Sequence, residues 1–332
     1  MRRILLLITL LASVASQAQV SIDENNFPDE NFRNYLLSQS YGVDSVITES
    51  ELLGITELDV QERGITTLQG IELFTNLRYL LCWGNELNTL DVSNNTKLKT
   101  LACGDNHLTE LDVSKCPNIE VLWCYRNQLE ELDVSSLSKL EILSCHWNSL
   151  RELDLTNCTS LIGVSCHNNQ LESLKVAGLR DIEDIYCFRN NLTSLDLTDC
   201  NSLDYVYMHE NSIHGSAMDE MISTLPRINY GSYLVVININ SDAGDNVCTK
   251  DQVSLINDKG WKVMYSDGIG NNERGSVYLY EGSEPTGIAN YVPAGNKDAV
   301  YYGINGACGK YPIHGLNIIR KADGSVSKRI IK

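Results

Sequence analysis

The sequence predicts an α/β repeat solenoid with a parallel concave β-sheet, a helical N-terminal cap, helix-bearing C-terminal repeats and a small β tail. Three observations carry the prediction. Cys82, Cys103, Cys124, Cys145, Cys166 and Cys187 follow one another at intervals of 21 residues. Asn85, Asn106, Asn127, Asn148, Asn169, Asn190 and Asn211 keep the same interval. Leu77, Leu98, Ile119, Leu140, Leu161, Ile182 and Leu203 recur in phase with both. A fixed period of this length marks stacked supersecondary units, each too small to bury its apolar face alone.

The elements follow in chain order. Residues 1–18 carry Arg2 and Arg3, then an apolar run too short to span a bilayer, then Ser16-Gln17-Ala18. That is the pattern of a secretory signal cleaved before Gln19. No other stretch has the length or apolarity of a transmembrane helix. After Pro28, a helix over residues 29–38 places Phe32, Tyr35 and Leu36 on one face. Thr48-Glu49-Ser50-Glu51 is a capping box that opens a second short helix. The pair resembles a degenerate EF-hand-like cap. Its loop supplies only Asp44 and Glu51 as acidic ligands, too few for calcium. Beyond Asn211 the period lengthens. Ser216-Ala217-Met218-Asp219 is expected to cap a helix that ends at Pro226, and residues 233–239 to form a strand. Thr249-Lys250-Asp251-Gln252 opens a further helix before Gly260, a strand over 261–265 and an edge strand over 276–280. The chain thus divides into a signal peptide (1–18), a helical cap (19–54), repeats (55–212), C-terminal capping repeats (213–282), a linker (283–300) and a β tail (301–332).

The unit reads L-x-x-L-x-C-x-x-N-x-L-x-x-L-D-V-S-x-x-x-x. It resembles the leucine-rich repeat, with Cys in place of the middle Leu. A precursor unit over 55–76 keeps the apolar register but has Arg63 where Asn is expected. The whole resembles the internalin- and BspA-like secreted leucine-rich-repeat proteins of Bacteroidota. That resemblance implies surface recognition or adhesion without catalysis or cofactor.

Strand alternation sends Leu80 and Cys82 inward and Tyr79, Leu81 and Trp83 outward. The Asn row has the donors and acceptor to bind backbone groups where the chain leaves each strand. In-register strands hold neighbouring Cβ atoms ~4.8 Å apart, wider than the ~3.8 Å of a disulfide, so the six period-21 cysteines read as buried thiols. Asp91, Asp112, Asp133, Asp154 and Asp196 precede Ser or Thr by two residues and read as local turn caps. His209 and His214 are one residue too far apart for a helical zinc motif, and no metal is assigned. No nucleophile–base pattern appears, so an enzyme is not expected.

The concave positions carry the functional reading. The residues after each Cys include Trp83, Tyr125, His146, His167 and Phe188, with His209 in the seventh unit. Those before it include Trp123, Tyr186 and Tyr207. Arg126, Trp147 and Arg189 lie one step further. With Tyr79 these form the expected binding face, because aromatics with Arg are the composition of interaction hot spots. Exposure is expected for Trp83, Trp123, Tyr125, Trp147 and Phe188. The partner is a protein or a glycan; a structural envelope role without specific ligand is the third possibility. The net charge of −17 argues against nucleic acid or an anionic membrane.

From residue 301 the balance reverses, with six Lys/Arg against Asp323. Apolar runs at 316–319 and 327–331 flank a turn signal and read as a hairpin. Tyr302-Gly303-Ile304-Asn305-Gly306 and the run Gly315-Leu316-Asn317-Ile318-Ile319-Arg320 resemble the type IX sorting modules of Bacteroidota. The resemblance implies an outer-membrane-surface or extracellular location; without that role the exported chain stays in the periplasm.

Overall fold

The computed structural model describes residues 19–228, 231–241, 245–267 and 276–283, and the backbone of four strands between 300 and 331. The signal segment 1–18, most of the linker and Cys308's side chain lie outside the described residues. Strand β1 (Gln19–Ser21), helix α1 (Glu30–Ser38), strand β2 (Val46–Thr48) and helix α2 (Glu49–Gly54) form the cap. The chain then lays down β3 (Glu57–Asp59), β4 (Tyr79–Leu81), β5 (Thr100–Ala102), β6 (Val121–Trp123), β7 (Ile142–Ser144), β8 (Glu152–Asp154), β9 (Gly163–Ser165), β10 (Ser173–Lys175), β11 (Asp184–Tyr186) and β12 (Tyr205–Tyr207). Helix α3 (Ser216–Thr224), β13 (Tyr233–Asn238), α4 (Lys250–Asp258), β14 (Lys262–Ser266) and β15 (Val277–Leu279) close the stack. The order β15-β14-β13-β12-β11-β9-β7-β6-β5-β4-β3 makes one 11-stranded sheet, parallel except for β15. This is the leucine-rich-repeat solenoid that the period predicts. The pair β8–β10 is a second, two-stranded parallel sheet that the repeat pattern did not announce.

The register runs through one buried residue per strand. Leu80, Leu101, Leu122, Leu143 and Val164 are successive partners across the sheet. All are at most 1% exposed. The six period-21 thiols lie behind them, free and fully buried. Burial pushes Cys103 and Cys187 up to about 12, so they stay protonated and act as small apolar groups. Cys248 is likewise free and buried.

Each ladder Asn stitches two turns together. The Asn127 amide donates to the Cys103 carbonyl at 3.0 Å and the Cys124 carbonyl at 3.1 Å, and its oxygen accepts from the Leu108 amide at 2.9 Å. The residue before the Asn is left-handed in successive repeats: Asp105, Arg126, Trp147, Asn168, Arg189 and Glu210 have φ between 49° and 55°. The paired amide and carbonyl groups around it over-determine that turn. The Asp row does what its pattern implies: Asp112 accepts from the Ser114 amide at 2.8 Å and Asp133 from Ser135 at 2.9 Å.

The caps hide the apolar ends. Asp29 accepts from Phe32 at 2.8 Å to cap α1 and from Thr66 at 2.8 Å to hold the cap on the first repeat. The Tyr35 hydroxyl accepts from the Asp59 amide at 3.3 Å, covering the edge strand β3. The capping boxes at Thr48 and Thr249 are both present. That at Ser216 is not: Ser216 is the first helical residue, Gly215 occupies the cap position at φ 58°, and no side chain caps the helix. Asp219, expected to complete the box, instead accepts from Gln252 on α4 at 2.6 Å. Tertiary pairing of α3 with α4 claims the carboxylate that local sequence assigned to the cap. In the tail, β16 (Val300–Gly303), β17 (Cys308–Gly309), β18 (Gly315–Arg320) and β19 (Val326–Ile331) form an antiparallel sheet in the order β17-β16-β18-β19. Its β18–β19 hairpin falls where the sequence places one.

Candidate functional site: the concave face

The concave side of the sheet is a grid. Strand spacing sets one axis and alternate residues set the other. On β4 it presents Tyr79 and Leu81, with Trp83 just beyond; on β6, Val121 and Trp123, followed by Tyr125 and Arg126; on β7, Ile142 and Ser144, followed by His146 and Trp147. Between β4 and β6 lies a row of small residues, Thr100, Ala102 and Gly104. A Cβ on Gly104 would sit 2.7 Å from the Tyr125 ring, so that ring lies over β5's end only because residue 104 has no side chain.

The large side chains of this half are open to solvent: Tyr79 is 42%, Trp123 39%, Ile142 37% and Trp147 43% exposed. Trp83 and Tyr125 are half-buried. Arg126 lies over the Trp147 ring at 6.0 Å and 3.9 Å from Asp105, which fixes the indole's flank. Ile142 lies in the same register row as Tyr79, from which the sequence pattern singled out Tyr79 alone, although strand alternation points both to the same side.

The other half is closed. A column of stacked rings runs into it from Tyr125 and His146 of the open half through His167 and Phe188 to His209, with centroids 5.0, 4.5, 4.2 and 4.6 Å apart. Phe188 is 0% exposed, and His167, Tyr207 and His209 are buried. This corrects the expectation that Phe188 is exposed. Its phase does point it to the concave side, but rings on both neighbouring strands cover its faces. Phe188, Tyr207, Val235 and Met264 form a second small core there, with Tyr186, Tyr205 and Tyr233 packed against it. Burial, with Arg189 beside it, drives His209 down to about 3, so its ring is neutral.

At the rim, Arg189 pairs with Glu210 at 2.9 Å. The Glu210 amide donates to Asp245 at 2.6 Å. Burial raises Asp245 to about 7, against the amides of Asn238, Glu210 and Asn246 that bind it. Asn246 continues the ladder: it donates to the carbonyls of Met208 and Val236 and accepts from the Ile213 amide at 2.8 Å. Sequence reading missed it because it stands 35 residues after Asn211. Its signal is the lengthened C-terminal period, within which an Asn still fills the ladder position.

A family model of leucine-rich repeats, two copies, matches residues 96–139. Internalin J of Listeria monocytogenes serotype 4b (strain F2365) is 37% identical over 71 residues, 21% of this chain and 8% of that protein. The structure of internalin C2 from Listeria monocytogenes str. 4b F2365 superposes with a TM-score of 0.53 at 23% identity, covering 62% of this chain and 94% of that one. A leucine-rich-repeat protein of Leptospira interrogans gives 0.50 at 23% identity, covering 55% and 50%. The match therefore spans less than a tenth of internalin J and half of the Leptospira chain. The chain carries leucine-rich repeats and is similar to internalins, and the likeness to the solved structures is one of fold.

Proposed function

We propose that the protein is an exported, non-catalytic binding protein that recognises another protein through the open, N-terminal half of the concave face. The observation that supports this reading is the concentration of Tyr79, Trp123, Ile142 and Trp147, each over a third exposed, on one side of a scaffold whose core needs none of them. Rigid rings mounted on a sheet lose little entropy on docking and carry large contact area. Trp83, Tyr125 and Arg126 complete the patch. His167, Phe188 and His209 serve it as a buttress, stacked behind Tyr125 and His146 with Tyr207 edge-on to His209, while Tyr186 and Arg189 lie at its C-terminal border.

The test is Trp123→Ala with Tyr125→Ala, assayed on protein and glycan arrays. Loss of more than tenfold in affinity for a protein ligand, with Asp112→Ala and Asp133→Ala neutral, supports the face. Loss of affinity for a glycan instead makes it a sugar-binding surface. Unchanged binding to every ligand moves the site elsewhere. Export and adhesion rest on the signal pattern of residues 1–18 and the resemblance of the tail to sorting modules. Deleting residues 301–332 should strand the protein in the periplasm; undiminished protease shaving from whole cells would reject that role.

A further inference from the structure

Resting on the concave-face reading, we propose that the occupant of the open half is a cationic polypeptide segment. Its apolar side chains dock on Tyr79, Trp123 and Trp147, and its Lys or Arg groups meet an acidic row at the sheet's edge. Strand β3 supplies that row. Glu57 pairs in register with Tyr79, and Asp59 with Leu81, one strand step away. Glu62 follows at φ 52°, its Cγ 3.0 Å from where a Cβ on Gly84 would be. The acids therefore border the aromatic patch directly.

Most of the other charges at the patch cancel. Lys99 pairs with Glu120 at 2.6 Å and Arg126 with Asp105 at 3.9 Å. Glu57, Glu62 and Glu141 are exposed and make no ion pair among the described residues. With Asp59 they make four acids against two further cations among the described residues, Arg78 and Arg63, the latter turned over the Tyr35 ring of the cap at 4.9 Å. The local excess has the sign of the whole chain, −17, so the far field steers a cationic partner to the face and the near field seats it.

Size selects a segment rather than a domain. Four strand steps from β3 to β7 span roughly 19 Å, and five residues along a strand roughly 17 Å. That footprint of about 320 Å² is under half of the ~800 Å² per partner in a standard interface. An extended strand or a protruding loop fills it; the flank of a globular domain does not.

The experiment uses the full chain and three fluorescent nonapeptides in which Phe alternates with Lys, Ser or Glu, with chitohexaose as an uncharged glycan probe. At low salt the Lys–Phe peptide should bind at least tenfold more tightly than the Glu–Phe peptide. Glu57→Gln with Glu62→Gln should remove most of that preference, and Trp123→Ala with Trp147→Ala should weaken all peptide binding. A Lys preference untouched by the Glu57 and Glu62 changes would place the attraction in bulk charge and overturn this surface. Equal or reversed preference that still depends on the tryptophans overturns the cationic partner and leaves the concave face standing. Tryptophan-dependent binding of chitohexaose in preference to every peptide overturns the polypeptide. If no probe's binding depends on the tryptophans, both this inference and the reading beneath it fall.

Discussion

The two halves of the concave sheet are built from the same repeat, in the same register, yet one is open and the other closed. On β4, β6 and β7, Tyr79, Trp123, Ile142 and Trp147 stand in solvent. On β11 to β14, Phe188, Tyr207, Val235 and Met264 are buried among themselves. The repeat position is not what differs, since Tyr125 and Phe188 occupy equivalent places. The cross-strand neighbour differs. Phe188 has His167 at 4.2 Å and His209 at 4.6 Å, a ring on each side. Tyr125 has His146 on one side and Gly104 on the other. With strands ~4.8 Å apart, the two flanking rings together with Tyr207, Val235 and Met264 leave no room for water at Phe188. By contrast His146, stacked between Tyr125 and His167 but outside that second core, is half-buried, and a row of Thr, Ala and Gly leaves Tyr125 open on its other side. Phase chooses the face of a sheet; the adjacent strands choose exposure.

The largest effect should come from breaking the closed half. Phe188→Ala removes a fully buried ring and should cost about 3–5 kcal/mol in urea denaturation. A loss below about 1 kcal/mol would mean that the column collapses freely and is not a core. The Asn ladder serves both halves alike. Asn127→Ala in the open half and Asn190→Ala in the closed half should therefore each cost about 1–3 kcal/mol, because each leaves buried backbone groups unpaired. A large disparity between the two would show that the ladder is solvated at one end.

The closed half should also carry opposed pH dependences. The unfolded chain protonates His209 below about 6.5, while the folded ring takes a proton only near 3. Acid therefore favours unfolding across that window, by up to about 1.4 kcal/mol per pH unit. Asp245 works the other way. The native carboxyl keeps its proton up to about 7, while the unfolded one loses it near 3.8, so stability falls as pH rises between them. His209→Phe should make stability less sensitive to acid between pH 4 and 6.5, and Asp245→Asn should make it more so. Denaturation midpoints at the two ends of that range check the signs; parallel curves for parent and both variants would refute the assignment. The smallest effect belongs to the open half. Trp123→Ala should change stability by less than about 1 kcal/mol, since the indole is 39% exposed. A larger loss would erase the distinction between the halves.

Much of this was legible in advance. The 21-residue interval located β4 to β7, β9, β11 and β12, and alternation oriented Leu80, Cys82 and Tyr79 correctly. Both Thr capping boxes were readable, because their bonds form within four residues. The errors came from longer reach. Asp219 was expected to cap α3 and instead binds Gln252, 33 residues away. Asn246 was missed because insertion of α3 and β13 broke the interval while the structural role persisted.

The sequence by itself determined the solenoid, its phase and the side of the sheet that each aromatic faces. Those depend on period and alternation, which are local properties of a chain that repeats. Only the tertiary structure decided which aromatics remain available. Exposure depends on residues 21 or more positions away that stacking brings to within 5 Å. The period already sets Glu57 beside Tyr79, one 22-residue unit away; the tertiary structure decided that Glu57 stays exposed there. Stacking turns residues a full repeat apart into nearest neighbours, and the candidate site is made of such neighbours.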